Sequence, residues 1–220
     1  MIDIFNNFSS FIVFKTWQHL QLSLYSLFLS IAIAVPIGVI LAKSRYPKIA
    51  AFVLKLTSAL QTIPALALIA LLVAFLVLLR KFIALPATGF FPAIIVLSLY
   101  AILPILANTY YGIKNVDPTM KDIAKGMGMT SKQILFSVEI PLALSVIMTG
   151  IRLSLVWTIG MATLTSLVGA GGLGDLIMQG LRSMNVNLIL AGTIPCAILA
   201  IFFDWLLAII SKWLMYSSKK

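Results

Sequence analysis

The sequence predicts an all-α polytopic membrane protein with about five transmembrane helices, and three observations support this prediction. The chain of 220 residues is 61% hydrophobic and 10% charged, whereas an ordinary soluble domain carries about 25% charged residues. Several apolar runs approach or exceed the roughly 20 residues that cross a bilayer core. The net charge of +10 is typical of membrane proteins, which collect lysine and arginine in cytoplasmic loops. It therefore does not indicate a nucleic-acid partner.

The first 17 residues predict a helix that lies on the membrane surface rather than across it. Phenylalanine recurs every three residues, at Phe5, Phe8, Phe11 and Phe14, which places an aromatic stripe on one face of a helix. Such a helix suits the membrane interface. The segment lacks a basic start and a small-residue cleavage site, so we expect no cleavable signal peptide.

The five predicted spans cover about 20–42, 51–74, 91–111, 140–168 and 188–214. Pro64 interrupts the second span, since it removes a backbone donor and clashes with the preceding turn. We therefore expect a kink or a break there. Broken spans in transporters expose backbone groups to a polar path, and a simple packing kink is the alternative. Pro104 is expected to kink the third span.

Basic residues in the links predict the orientation of these spans. With residues 117–139 in the cytoplasm, ten basic residues lie on that side: Lys43, Arg45, Lys48, Lys114, Lys121, Lys125, Lys132, Lys212, Lys219 and Lys220. Four lie on the outer side: Lys15, Arg80, Lys81 and Arg182. This bias predicts an outer N-terminus and a cytoplasmic C-terminus.

The polar stretch from Asp117 to Pro141 predicts two short cytoplasmic helices, within residues 117–137, that meet at a glycine. Asp117 can cap the first helix. Gly128 fits the positive-φ position that follows a helix. Thr130 begins a T-x-x-Q capping box for the second helix.

Apolar residues of this stretch suggest a protein-binding surface. They are Met120, Ile123, Met127 and Met129, and methionine suits adaptable interfaces. The alternative is an amphipathic loop that faces the membrane.

The same stretch resembles the signature cytoplasmic loop of permease subunits of binding-protein-dependent ABC importers. That signature is Glu-Ala-Ala, three residues, Gly, and nine residues before an apolar-x-apolar-Pro ending. Asp122-Ile123-Ala124 stand at the Glu-Ala-Ala places, Gly128 stands at the glycine, and Val138, Ile140 and Pro141 form the ending. The resemblance implies an ATPase-coupling role for a set of residues: Asp122, Ile123, Ala124, Met127, Gly128, Met129, Thr130 and Pro141.

Segments along most of the chain look like one subfamily, the osmoprotectant (glycine betaine, carnitine, choline) permeases, with an ergothioneine-importing branch close by. They are QTIPALAL (61–68), LPILANTYYGIKNVDP (103–118), GMGMTSKQIL (126–135), IPLALSVIMTGIR (140–152) and LVGAGGLGD (167–175). The resemblance implies the type I ABC importer permease fold as a single transmembrane domain, 1–220, in the bacterial inner (plasma) membrane.

The resemblance also implies the partners of such a subunit. They are ABC ATPase subunits, which bind ATP and Mg, a second permease subunit that is identical or similar, and an external substrate-binding protein. Some members of the subfamily carry a fused C-terminal binding domain. Because this chain stops at Lys220, we expect a separate binding protein.

Candidate pathway residues follow from the chemistry of a quaternary amine. Such an ion has no N–H donor, so aromatic faces recognise it. Tyr100 and Trp157 lie in mid-span and could line a path, and Gln61 and Asn108 could add dipoles. Pro64, at the break, is a further candidate. Packing is the alternative role for each aromatic residue.

The glycine-rich outer link contains Gly169-x-Gly171-x-x-Gly174, formally a dinucleotide fingerprint. That motif requires a βαβ unit, which an all-α chain does not supply. Gly171 and Gly172 are instead predicted to permit a tight re-entrant turn near an external gate, with close helix packing as the alternative.

Arg152 and Asp204 are ionisable residues inside spans, where charge is costly and usually faces a partner or a cavity. Both lie roughly 15–18 Å from the cytoplasmic ends of their spans at 1.5 Å per residue. We expect them to approach each other or share a polar network. The alternative is that each reaches water or backbone carbonyls separately.

Two other functional classes fit the sequence less well. A self-sufficient secondary transporter would carry several coupling acids near the midplane and often an inverted repeat. An intramembrane enzyme would need a nucleophile–base pair or a metal set, and His19 and Cys196 show no partner pattern. The chain lacks G-x-x-x-x-G-K-[ST], so we predict no enzyme activity and no bound cofactor or metal.

Overall fold

A computed structural model describes the backbone of residues 2–217 and the side chains of residues 9–214. Eight helices follow one another within that part of the chain: α1 (Ile2–Lys43), α2 (Pro47–Thr62), α3 (Ala65–Leu79), α4 (Phe90–Lys114), α5 (Pro118–Gly126), α6 (Ser131–Ala162), α7 (Leu173–Arg182) and α8 (Val186–Ser217). Four of them are long and apolar enough to cross a membrane, and the count is five if the bent pair α2–α3 forms one span. The multi-pass prediction is confirmed.

The helix α1 is continuous, so the predicted interfacial segment is not a separate element. Residues 2–35 contain no proline or glycine, and no breaker therefore divides the segment from the first span. Its 42 residues correspond to about 63 Å at 1.5 Å per residue, twice the thickness of a bilayer core. The side chains of Phe5 and Phe8 lie outside the described residues.

The second span is broken at Pro64, as predicted. The axes of α2 and α3 differ by 100° across the break. Ile63 is extended, with ψ of 126°, because a residue before proline avoids the helical region. The chain therefore changes direction without a glycine.

The helix α4 forms the centre of the bundle, between α1 and α6. Its buried residues Ile105 and Leu106 pack in one cluster with Leu155 of α6. Small residues allow this close approach. A side chain on Gly150 would overlap Asn108 of α4.

The fourth span differs from its prediction at both ends. It begins at Ser131 rather than Ile140, since a π-helical turn, Leu135–Glu139, joins the second cytoplasmic helix to the span without a break. It ends at Ala162 rather than Val168, and a 3-10 turn, Leu164–Val168, follows.

The helix α7 was not predicted, and the outer link is therefore more than a loop. Leu173, Leu176 and Gly180 of this helix are buried. Gly174 lies so close to the Thr163 carbonyl that a β-carbon there would overlap it. The fifth span, α8, agrees with its prediction at both ends to within a few residues.

Candidate functional site

The first of the two short helices predicted around Gly128, α5, has the predicted cap. The Asp117 carboxylate accepts a hydrogen bond from the Thr119 N–H at 2.8 Å, and Pro118 occupies the first position, where its missing N–H costs nothing. Lys125 lies in the last turn, where a cation favours the helix dipole. The sequence thus defines both ends of this helix.

Gly128 makes the turn between α5 and α6. Its φ is +80°, and two backbone bonds close the turn, from Gly128 N–H to Lys125 O at 2.9 Å and from Met129 N–H to Ala124 O at 3.1 Å. This pair is the Schellman pattern. A β-carbon on Gly128 would meet no atom within 4 Å, so the left-handed backbone, and not space, requires glycine here.

Thr130 caps the second helix with the predicted capping box. The Gln133 N–H donates to the Thr130 hydroxyl at 3.4 Å, and the Gln133 side-chain oxygen accepts from the Thr130 N–H at 2.8 Å. The helix that starts here continues into the membrane as α6. The predicted short helix is therefore the exposed end of a span, and Pro141 lies inside that span.

The predicted coupling residues divide into an outer and an inner group. Ile123 and Met127 are 55% and 76% exposed, and Asp122 is exposed and pairs with Lys125 at 2.9 Å. Ala124 is buried and packs toward the bundle. The exposed apolar face is available for a protein partner, while Ala124 permits close packing of α5.

Glu139 is a charged residue that sequence reasoning missed. It ends the π-helical turn, is 1% exposed, and binds Lys43 Nζ at 2.8 Å and Lys121 Nζ at 3.4 Å. A lone acid beside an apolar span gives little sign of such a role. The feature that could have revealed this role is the position of Glu139 at the start of a predicted span, because an acid buried there needs a cationic partner.

Three predicted pathway residues meet at the break in the second span. The Tyr100 hydroxyl donates to the Ile63 carbonyl, which the break leaves without a helical partner. The Gln61 side chain donates to the Tyr100 carbonyl at 2.9 Å. Pro64, Gln61 and Tyr100 therefore form one polar junction between α2–α3 and α4.

The other two pathway candidates lie elsewhere. The Asn108 amide donates to the Pro104 carbonyl at 2.8 Å on its own helix. Trp157 is 46% exposed on α6, whereas Tyr100 is buried with Leu68 and Ile69. Trp157 is thus an exposed aromatic side chain, and Tyr100 packs inside the subunit.

The glycine turn at Gly171 and Gly172 packs against α1. Gly171 and Gly172 have φ of +82° and +83°, and the Gly172 N–H donates to the Gln18 side-chain oxygen at 3.3 Å. Lys15 of α1 pairs with Asp175 of α7 at 2.6 Å. These contacts hold the turn and α7 onto the N-terminal half of α1.

His19 and Cys196, which showed no relation in sequence, are neighbours. The Cys196 sulfur lies 3.7 Å from His19 Nε2, and this nitrogen donates to the Ile159 carbonyl at 2.9 Å. A nitrogen that carries this proton cannot serve as a base for the thiol. Among the described residues, no group of three or more His, Cys, Asp or Glu residues could hold a metal ion.

Arg152 and Asp204 form the expected intramembrane pair. Arg152 Nε and a terminal nitrogen donate to the two carboxylate oxygens of Asp204 at 3.0 and 2.9 Å. Such a two-bond geometry is the strong form of this contact. It joins α6 to α8 at membrane depth.

Residues 34–216 match the family of the binding-protein-dependent transport system inner membrane component. The chain belongs to this family. It is 48% identical over 193 residues to the carnitine transport permease protein OpuCB of Listeria monocytogenes, covering 88% of this chain and 83% of that protein. Over 201 residues it is 43% identical to the glycine betaine/carnitine/choline transport system permease protein OpuCB of Bacillus subtilis, covering 91% and 87%.

Solved structures show the fold of this family member. An inward-facing structure of the MetNI methionine ABC transporter superposes with a TM-score of 0.78 at 21% identity, covering 96% of this chain and 98% of that chain. The type I ABC importer permease fold is therefore confirmed. As a permease of a binding-protein-dependent system, the chain is a multi-pass transport component of the inner membrane.

Proposed function

We propose that this chain is the permease subunit of an ATP-driven importer of quaternary-amine osmoprotectants such as carnitine, glycine betaine or choline. The observation that carries the substrate class is the identity of 48% and 43% to permeases named for these compounds. The capped segment around Gly128 supports the coupling role. Partner ATPase subunits bind ATP and Mg, and this chain binds neither.

The exposed face of α5 is the proposed contact with the ATPase. Asp122, Ile123 and Met127 lie on that face. When ATP binding closes the pair of ATPase subunits, this contact displaces α5 and α6 and opens the path to the outside. ATP hydrolysis then returns the permease to its starting conformation. Met129, Thr130 and Gly128 set the angle between the two helices, while Ala124 and Pro141 fit them to the bundle.

The distribution of charge supports the proposed orientation. Lys43, Lys121 and Glu139 meet at one end of the bundle, and Lys15 and Asp175 meet at the other. With α2–α3 as one crossing, five spans leave the N-terminus outside and the C-terminus in the cytoplasm. The glycine turn then belongs to the outer gate.

The path itself lies between this subunit and a second permease subunit, identical or similar. Trp157 has the exposed aromatic face that a quaternary ammonium ion requires. The junction of Gln61, Pro64 and Tyr100 supports the wall of the path inside the subunit, and Asn108 stabilises α4. An external binding protein delivers the solute.

Uptake into proteoliposomes tests the substrate class. The complete complex with its binding protein and internal ATP should accumulate labelled carnitine, glycine betaine or choline. Inhibition of this uptake by excess unlabelled ergothioneine would indicate that the complex also carries ergothioneine, a different betaine-like solute. Accumulation of none of the three, in a complex that takes up ergothioneine, would contradict the osmoprotectant assignment.

A further inference from the structure

Glu139 joins three elements that move relative to one another in the proposed cycle. Its carboxylate accepts two hydrogen bonds from Lys43 Nζ, at 2.8 and 3.0 Å, and Lys43 is the last residue of α1. Lys121 of α5 reaches the same carboxylate at 3.4 Å. Glu139 itself lies on the π-helical turn of α6. One buried acid thus connects the first span, the fourth span and the cytoplasmic helix.

The connection matters because α5 has few other anchors. Ala124 is its buried residue, whereas Met120, Ile123 and Met127 point outward. The side chain of Lys121 is more buried than that of Lys125, with 24% exposure against 66%. Lys121 therefore attaches α5 to the bundle electrostatically, while the remaining apolar surface stays open to a partner.

The surroundings of Glu139 leave room for its partners to shift. A cavity of about 320 Å³ lies beside it, and its lining includes Lys43, Lys114, Lys121 and Lys125. Of these cations, Lys125 is held by Asp122 at 2.9 Å. A π-helical turn is itself a departure from regular helix that is frequent at functional sites.

We propose that Glu139 is a positioning residue that transmits the displacement of α5 to the cytoplasmic end of α1. A buried carboxylate that loses one of its two cations relies on the other, because an unpaired buried charge is costly. When movement of α5 carries Lys121 away, Glu139 depends more strongly on its ion pair with Lys43. The end of α1 that carries Lys43 therefore moves together with the π-helical turn of α6 that carries Glu139. This inference rests on the proposed function, since it assumes that a partner ATPase moves α5.

The test compares uptake with ATP hydrolysis in the same reconstituted complex. Lys121→Met keeps the side-chain stem and leaves Glu139 paired with Lys43, so the fold is retained. We expect hydrolysis to continue while solute transported per ATP falls about fivefold or more, the low end of known coupling effects. Lys121→Arg, which keeps the charge, should restore the ratio. Lys48→Met, an exposed cytoplasmic lysine of α2, is the matched control and should leave the ratio unchanged.

A double-variant comparison identifies Glu139 as the partner through which Lys121 acts. Glu139→Gln should lower the ratio, and adding Lys121→Met to it should cause no further loss, because coupled residues are not additive. Two outcomes would overturn the inference: an unchanged ratio in Lys121→Met, or a parallel fall of uptake, hydrolysis and complex yield. Absence of ATP-driven uptake by the unaltered complex would instead defeat the proposed function.

Discussion

Gly128 determines how α5 and α6 meet. Its positive φ, +80°, closes the turn between α5 and α6, and the caps at Asp117 and Thr130 fix where each helix starts. Gly128 acts through its backbone conformation, and Asp117 and Thr130 act through side-chain caps. The angle between α5 and α6 therefore depends on Asp117, Gly128 and Thr130.

Replacing Gly128 by valine should uncouple the transporter while the protein still inserts. A β-branched residue with positive φ is a genuine outlier, and the left-handed conformation costs roughly 1–2 kcal/mol even for ordinary residues. The turn should open and misalign α5. We expect uptake and uptake-linked ATP hydrolysis to be lost in proteoliposomes, with normal amounts of chain in the membrane.

Gly126→Val is the matched control for this variant. Gly126 lies two residues away, a β-carbon there also meets nothing within 4 Å, and its φ is not positive. Its transport should persist. Equal transport by Gly128→Val and Gly126→Val would show that the left-handed turn is not needed.

At the scale of elements, the pair Arg152–Asp204 binds the fifth span to the fourth. The helix α8 packs one apolar face, including Leu199 and Phe203, against the core cluster, while much of its surface is exposed. The two-bond ion pair supplies a specific contact at a fixed height. It sets the register of α8 on α6.

Substituting one member of this pair should destabilise the protein more than substituting both. Arg152→Met or Asp204→Asn alone leaves one charged group without its partner in the membrane, at a cost of about 2.5–3.5 kcal/mol for a charge near a span centre. The double variant Arg152→Met/Asp204→Leu leaves none. Thermal unfolding in detergent should show a lower Tm for Arg152→Met than for the double variant. A double variant that unfolds first would contradict the bracing role.

The sequence predicted the elements that have local causes. Pro64 signals the break because proline acts on its own backbone, and Gly128 signals a turn for the same kind of reason. Arg152 and Asp204 could be paired because helix rise converts sequence position into depth.

Features that depend on distant partners were not predicted. The helix α7 is held mainly by close packing on α8, where Gly180 lies against Ile189, and by the Lys15–Asp175 pair to α1, while its glycines resemble loop residues in sequence. Glu139 has an ordinary local pattern, and its role depends on Lys43, 96 positions away. Likewise, His19 and Cys196 meet across 177 positions, which local pattern reading cannot detect.

At the scale of the whole molecule, the two ends of the bundle carry different chemistry. One end holds the Gly128 turn and the cluster of Glu139 with its lysines. The other holds the glycine turn at Gly171–Gly172, packed on Gln18 and His19. The spans between them, above all the central α4, connect these ends. This difference between the two ends is consistent with the proposed function, in which one end is the coupling end and the other the gate.

The most direct test of this account is the dependence of transport on the ATPase subunits. Proteoliposomes should be prepared with the permease and binding protein, with and without the ATPase, and with ATP inside. The account predicts solute accumulation in the complete complex and none without the ATPase. Accumulation of solute by vesicles that contain no ATPase would show a self-sufficient transporter and contradict the account.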